Sequence, residues 1–216
     1  MKFVCLATVI VSFTALPFQQ LLAQKKTIDQ KVDSVLKQMT LDEKVGQMNQ
    51  YNGPWAATGP LTNDDNLLSQ IKEGKVGSML NVTGVIRTRD LQQLALQSRL
   101  KIPLLFGQDV IHGYRTIFPI PLGEAASWDI PAIEQSARVA ATEATAVGVH
   151  WTFAPMVDIA RDPRWGRVME GAGEDPYLGS LIAKARVKGF QGKGLGNTDA
   201  VMACAKHFAA YGAAVG

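Results

Sequence analysis

The sequence predicts an α/β fold assembled from βα units, a partial (β/α)8 TIM-type barrel truncated before barrel closure. Three observations lead there. Short, unbroken apolar runs alternate with longer segments of helical periodicity, the pattern of parallel strands buried on both faces and joined by crossover helices. The apolar runs give way to polar residues at their C-terminal ends, at Gln108-Asp109, Asp158 and Lys206-His207. Active sites of (β/α) barrels gather at such ends, although doubly wound sheets also place ligands there, so this pattern alone does not separate the two. Length is the third observation: an eightfold barrel takes about 250 residues, whereas this chain has 216 and offers four or five βα units. It stops at Gly216, soon after an apolar run, and a strand left there exposes an unpaired edge; the expectation is a barrel cut short.

Residues 1–23 read as a secretory signal peptide: Lys2 is followed by the apolar run 3–16, and small Ala23 marks the cleavage region. A membrane span needs roughly twenty apolar residues, and Pro17, Gln19 and Gln20 interrupt this one. The expected location is therefore periplasmic or secreted, with no stable membrane insertion after cleavage. Residues 24–216 form one domain without repeats or linkers. Segment 27–50 has helical spacing broken near Thr40, where Thr40 and Glu43 fit a capping box that opens a second helix. A helix over 65–75 leads to a strand over 76–82, and a helix over 88–100 to a strand over 102–110. Asp129, followed by Ile130 and Pro131, is an N-cap with proline in the first turn; its helix runs to about Val147. A strand over 150–158, a helix over 175–192 and a strand over 200–208 complete the order.

Composition excludes several functions. Cleavage removes Cys5 and leaves Cys204 alone, so no internal disulfide can form. The net charge of +3 falls toward neutral, with acids and bases interspersed; there is no basic stripe for nucleic acid. The three histidines are spread along the chain and form no metal site by spacing. Gly192–Gly196 (GKGLG) follows a helix and precedes a strand, the reverse of a dinucleotide fingerprint, so no cofactor is implied. Asn81-Val82-Thr83 matches a glycosylation acceptor but falls in a predicted strand.

The candidate binding residues sit where strands become loops. Asp109 can accept two hydrogen bonds from vicinal hydroxyls, or can close the strand as an Asx turn. His112, one turn later, reads as structural. Segment 161–178 packs Arg161, Arg164, Arg167, Glu170, Glu174 and Asp175 around Trp165 and three glycines. Such a loop implies interlocked ion pairs, with one arginine free to reach into a pocket. Lys206 and His207 close the last strand, where one of the two is expected to point inward.

The blocks KQMTLDEKVGQM, IPLLFGQDVIHG, TIFPIPLGEAASWD, FAPMVDIARDPRWGRVMEGAGEDPYL and KHFAAYG resemble glycoside hydrolase family 3, in the periplasmic β-glucosidase branch. The resemblance spans nearly the whole mature chain. It implies a barrel domain followed by an α/β sandwich, and a retaining glycosidase that uses an aspartate nucleophile and a glutamate acid/base. It places the glucose-binding groups of the −1 subsite on Asp109, Arg167, Lys206 and His207, and selects Arg167 as the arginine closing WGR. The nucleophile and the acid/base are expected beyond Gly216, so the chain itself is expected to be inactive, and Asp158, Asp162 and Asp175 are assigned to the structural loop. Tyr211 stands where N-acetylglucosaminide-cleaving relatives carry a second histidine, which favours β-glucosides or cello-oligosaccharides as substrates. A non-catalytic sugar-binding protein is the competing reading.

Overall fold

The computed structural model describes residues 26–53 and 66–213; the proposed signal peptide lies outside them. The chain divides into two units, residues 1–37 and 38–216. Of the first, the described part is one helix, α1 (Ile28–Leu36), opened by a capping box between Thr27 and Gln30.

The second unit starts at α2 (Leu41–Met48), and its N-terminus follows from local chemistry. The Thr40 hydroxyl accepts from the Glu43 amide at 3.2 Å, and Glu43 Oε2 accepts from the Thr40 amide at 2.8 Å. Arg99 clamps the same carboxylate at 2.6 Å and, as the largest cause, holds the Glu43 carboxyl down at about 2. The order continues as β1 (Gln50–Asn52), α3 (Leu67–Lys72), β2 (Ser78–Leu80), α4 (Val85–Ala95), β3 (Leu105–Gln108), α5 (Pro121–Ala126), α6 (Ile130–Thr145), β4 (Trp151–Thr152), α7 (Pro176–Gln191) and β5 (Met202–Ala203).

All five strands are parallel and lie side by side in sequence order, β1-β2-β3-β4-β5. This decides between the two architectures. A doubly wound sheet reverses its strand order at the switch point, whereas right-handed crossovers that never reverse place every helix on one face, as in a (β/α) barrel. The sheet here is an unclosed arc. Tyr51, Met79 and Phe106 are in register, and Met79 and Phe106 are fully buried beneath Leu67 and Ile71 of α3 and Leu91 and Ala95 of α4. The alternate residues point the other way, and Leu105 on that face is 42% exposed.

A second core cluster joins Ala137, Ala140, Ala141 and Ala144 of α6 to Phe190 of α7 and to Val110, Val149 and Val201 at the strand ends. The short alanines let α6 and α7 pack closely. Beside that seam Arg138 is anomalous: none of its buried guanidinium nitrogens has a hydrogen-bond partner among the described residues. A Cβ added at Gly192 would fall 2.0 Å from its Nη1, so the turn after α7 closes directly over the charge. A buried unpaired charge is destabilising. Arg138→Met is therefore expected to raise the thermal midpoint by about 2–4 °C, equivalent to about 1 kcal/mol. A fall in the midpoint by calorimetry would contradict this account.

The structure shortens the predicted strands. The 150–158 run pairs regularly only over Trp151–Thr152, with a separate bridge between Met156 and Lys206. Pro155 lacks an N–H and interrupts the ladder. For the same reason β3 begins only after Pro103. The helix expected over 88–100 instead occupies Val85–Ala95, entered from Gly84 at a φ of 102° and without a side-chain cap.

Candidate active site

The polar residues ending β3, β4 and β5 converge at the C-terminal edge of the sheet. Asp109 leaves β3, and Lys206 leaves β5 through its bridge to Met156. Although 97 positions apart, Lys206 Nζ and Asp109 Oδ1 lie 3.3 Å apart. Their side chains are unequally exposed, 14% for Lys206 and 48% for Asp109. A carboxylate offers about four acceptor positions, and the lysine occupies one of them. The rest of Asp109 faces solvent and can accept from hydroxyls.

Two of the three arginines of the 161–167 segment, Arg164 and Arg167, separate by their side-chain partners. Arg164 is turned outward, its side chain 73% exposed, and pairs with Asp162 at 2.6 Å. Arg167 binds Glu170 in bidentate fashion, Nε to Oε1 at 2.7 Å and Nη2 to Oε2 at 2.6 Å. It also approaches His207, Nη1 to Nε2 at 3.4 Å. The Glu170 bonds raise the Arg167 guanidinium above its ordinary value, and the Arg167 bonds lower the Glu170 carboxyl, with the charge of Lys206 adding to the latter. The expectation of interlocked charges holds, and Arg167 is the arginine aimed at the strand ends.

His207 is gripped from the opposite side. Asp158 Oδ2 lies 2.8 Å from its Nδ1 and accepts from its backbone amide at 3.0 Å. The Tyr211 ring meets the imidazole edge to face at a centroid distance of 4.7 Å. Tyr211 also underlies the Arg167 guanidinium at 5.6 Å and abuts buried Trp165 at 5.3 Å. Arg167, His207 and the 208–213 segment line an open recess of about 600 Å³.

The four residues predicted for the site therefore form two touching pairs, Asp109 with Lys206 and Arg167 with His207. Asp162 and Asp175 take the structural roles expected of them: Asp162 accepts from the Arg164 amide, and Asp175 caps α7 by accepting from the Tyr177 amide. Asp158 differs. Its side chain is 3% exposed and it contacts a site residue, so its assignment to the structural loop is incomplete. The sequence marks Glu170 only as one of the interlocked charges and Tyr211 only as the residue in place of a second histidine; their contacts with Arg167 and His207 come from the structure. For Asp158 a signal existed, since it is the polar residue that ends a buried strand. Away from the cluster, the His112 ring lies 3.0 Å from the Phe118 carbonyl, a structural contact as expected.

Comparison with known proteins identifies the family and the fold. The glycosyl hydrolase family 3 N-terminal domain matches residues 40–216. The periplasmic beta-glucosidase of Salmonella typhimurium is 46% identical over 189 residues, covering 87% of this chain and 24% of that protein. A beta-glucosidase from Listeria innocua, solved in complex with isofagomine, superposes with a TM-score of 0.77 at 45% identity, covering 87% of this chain and 27% of that one. An exo-1,3/1,4-beta-glucanase from Pseudoalteromonas superposes with a TM-score of 0.72 at 30% identity, covering 84% of this chain and 25% of that one. The chain thus spans about a quarter of the length of these relatives.

Proposed function

The chain belongs to glycosyl hydrolase family 3, and from that premise we propose that it carries the glucose-binding part of a retaining β-glucosidase. The whole protein would release terminal non-reducing β-D-glucosyl residues from β-glucosides or cello-oligosaccharides in the periplasm or outside the cell. Asp109, Arg167, Lys206 and His207 would hold the glucosyl ring in the −1 subsite, without a cofactor. The observation that carries this reading is the grouping of these residues at the C-terminal edge of the sheet as two pairs, Lys206 Nζ 3.3 Å from Asp109 Oδ1 and Arg167 Nη1 3.4 Å from His207 Nε2, the second pair lining the solvent-open recess. Their chemistry suits a sugar. Asp109 accepts, Lys206 and Arg167 donate, and each sugar hydroxyl can do both.

The catalytic pair is proposed to come from elsewhere in the whole protein. Retaining hydrolysis needs two carboxyl groups about 5 Å apart, one of them free to attack the anomeric carbon. Among the described residues, each carboxylate of this cluster already has a cationic or N–H partner: Asp109 has Lys206, Glu170 has Arg167, and Asp158 has His207. A nucleophile so engaged is a poor one. Residues 24–216 would then be the front part of the barrel domain that presents the subsite.

The test is hydrolysis of p-nitrophenyl β-D-glucoside by the whole protein and its variants. Asp109→Ala or Lys206→Met each removes a charge-assisted hydrogen bond, and kcat/KM is expected to fall about a hundredfold. The first product detected by NMR is expected to be β-glucose. Unchanged kcat/KM in both variants would remove these residues from the subsite. Glucose binding without any turnover would favour a non-catalytic sugar-binding protein.

A further inference from the structure

We infer that Asp158 is a positioning residue that sets the hydrogen-bonding polarity of the subsite: it holds His207 in the Nδ1–H tautomer, so that Nε2 faces the recess as an acceptor. The inference rests on the reading that the recess takes a glucosyl ring.

Both neighbours of the imidazole select the same tautomer. Asp158 Oδ2 takes the His207 backbone amide at 3.0 Å, and a backbone N–H can only donate, so this oxygen is an acceptor. The same oxygen lies 2.8 Å from Nδ1, and the proton of that contact therefore sits on Nδ1. A neutral imidazole that donates through one nitrogen accepts through the other. On the far side stands Arg167 Nη1, 3.4 Å from Nε2, a group with protons to give and none to receive. An Nε2–H tautomer would set donor against donor there and leave a buried carboxylate oxygen facing a bare nitrogen. The Tyr211 ring, standing at 78° to the imidazole, fixes the plane in which it lies. The charged groups around His207 are Asp158, Arg167, Glu170 behind Arg167, and Lys206.

The consequence for recognition is specific. The subsite then holds two acceptors, Asp109 Oδ and His207 Nε2, and two cationic donors, Lys206 and Arg167. The long contact from Arg167 to Nε2 is readily displaced, and a sugar hydroxyl entering there donates to Nε2 while it accepts from the guanidinium. Asp158 never touches the sugar, and its whole effect passes through the histidine.

The test reads the tautomer directly. The whole protein, labelled with nitrogen-15 histidine, is studied by two-bond nitrogen–proton correlation at neutral pH, with His207 identified by its loss in His207→Gln. The protonated nitrogen is expected to be Nδ1. In Asp158→Ala it is expected to shift toward Nε2, the favoured position in a free histidine side chain, and glucose affinity is expected to fall roughly tenfold with the lost hydrogen bond. Asp158→Asn keeps an acceptor oxygen in the same place and is expected to restore the Nδ1–H signature and most of the affinity. An Nε2–H signature in the unsubstituted chain overturns the inference. So does an unchanged signature in Asp158→Ala, or an Asp158→Asn variant no better than Asp158→Ala, which would reduce Asp158 to packing. The tautomer is read without sugar, so a recess that binds no glucose overturns the proposed function while leaving this measurement intact.

Discussion

Replacing Arg186 with methionine is expected to lower stability by about 3–5 kcal/mol and the thermal midpoint by roughly 6–20 °C. Arg186 on α7 and Glu124 on α5 form a buried ion pair, Nη1 to Oε2 at 2.6 Å, with side chains 5% and 7% exposed. The second guanidinium arm donates to the Ile111 carbonyl, in the loop that β3 enters through Asp109. Burial pushes the Arg186 guanidinium down, and the Glu124 carboxylate opposes that shift by charge and hydrogen bonding. Removing the arginine alone leaves the carboxylate buried without its counter-ion, and this residual charge is the source of the penalty. The paired variant Arg186→Met with Glu124→Leu removes both charges and is expected to recover most of the loss, because apolar replacements of buried pairs are often neutral. Calorimetry of the single and double variants checks this. A single variant that melts within a degree or two of the parent would show that the pair contributes little. If the proposed subsite holds glucose through Asp109, the same variants should weaken its binding, because the Ile111 loop carries Asp109.

The elements most legible in the sequence were those with local signals. The Thr40–Glu43 box, the Asp129 cap with Pro131 and the Asp175 cap with Pro176 each lie within a few residues of the helix they start, and each helix begins there. Strand β1 was missed because Gln50, Tyr51 and Asn52 make no apolar run. Helix α5 was missed because it spans only Pro121–Ala126, in a segment full of proline and glycine. Strand lengths were overestimated wherever proline removes a ladder N–H, as at Pro155. For the site, the polar strand ends marked Asp109, Asp158, Lys206 and His207, but their pairing depends on strand order, which no local pattern encodes. Lys206 reaches Asp109 only because β4 alone stands between β3 and β5. The choice among Arg161, Arg164 and Arg167 came from family resemblance, since three arginines within seven residues are equivalent by type. The structure supplies the physical distinction: Asp162 holds Arg164 outward, and Glu170 holds Arg167 inward. Asp158 shares its residue type with two helix- or turn-capping aspartates, and only its burial against His207 sets it apart.

Gly212→Ala is expected to cost about 3 kcal/mol, at the upper end for overpacking, and to loosen one half of the proposed subsite without replacing any of the side chains proposed to bind sugar. A Cβ at this position would lie 2.1 Å from the Ile159 carbonyl oxygen and 2.8 Å from its carbon. Both are backbone atoms and neither can rotate away. The approach is close because the Gly212 carbonyl accepts from the Arg161 amide at 3.0 Å, which ties the segment after β5 to the loop after β4. Relief of the clash must push the two segments apart. Tyr211, next in the chain, would then leave the edge of His207 and the face beneath Arg167, so the Arg167–His207 contact would loosen together with the Asp158 grip. Asp109, directly after β3, and Lys206, bridged to Met156, should keep their contact. The expected signature is therefore a partial site: a lowered thermal midpoint, with glucose affinity reduced by about the same factor as in Asp158→Ala and no further loss when Asp158→Ala is added. Additive losses in the double variant, measured by titration calorimetry, would show that Gly212 and Asp158 act on separate parts of the recess and that the Tyr211 link between them carries no energy.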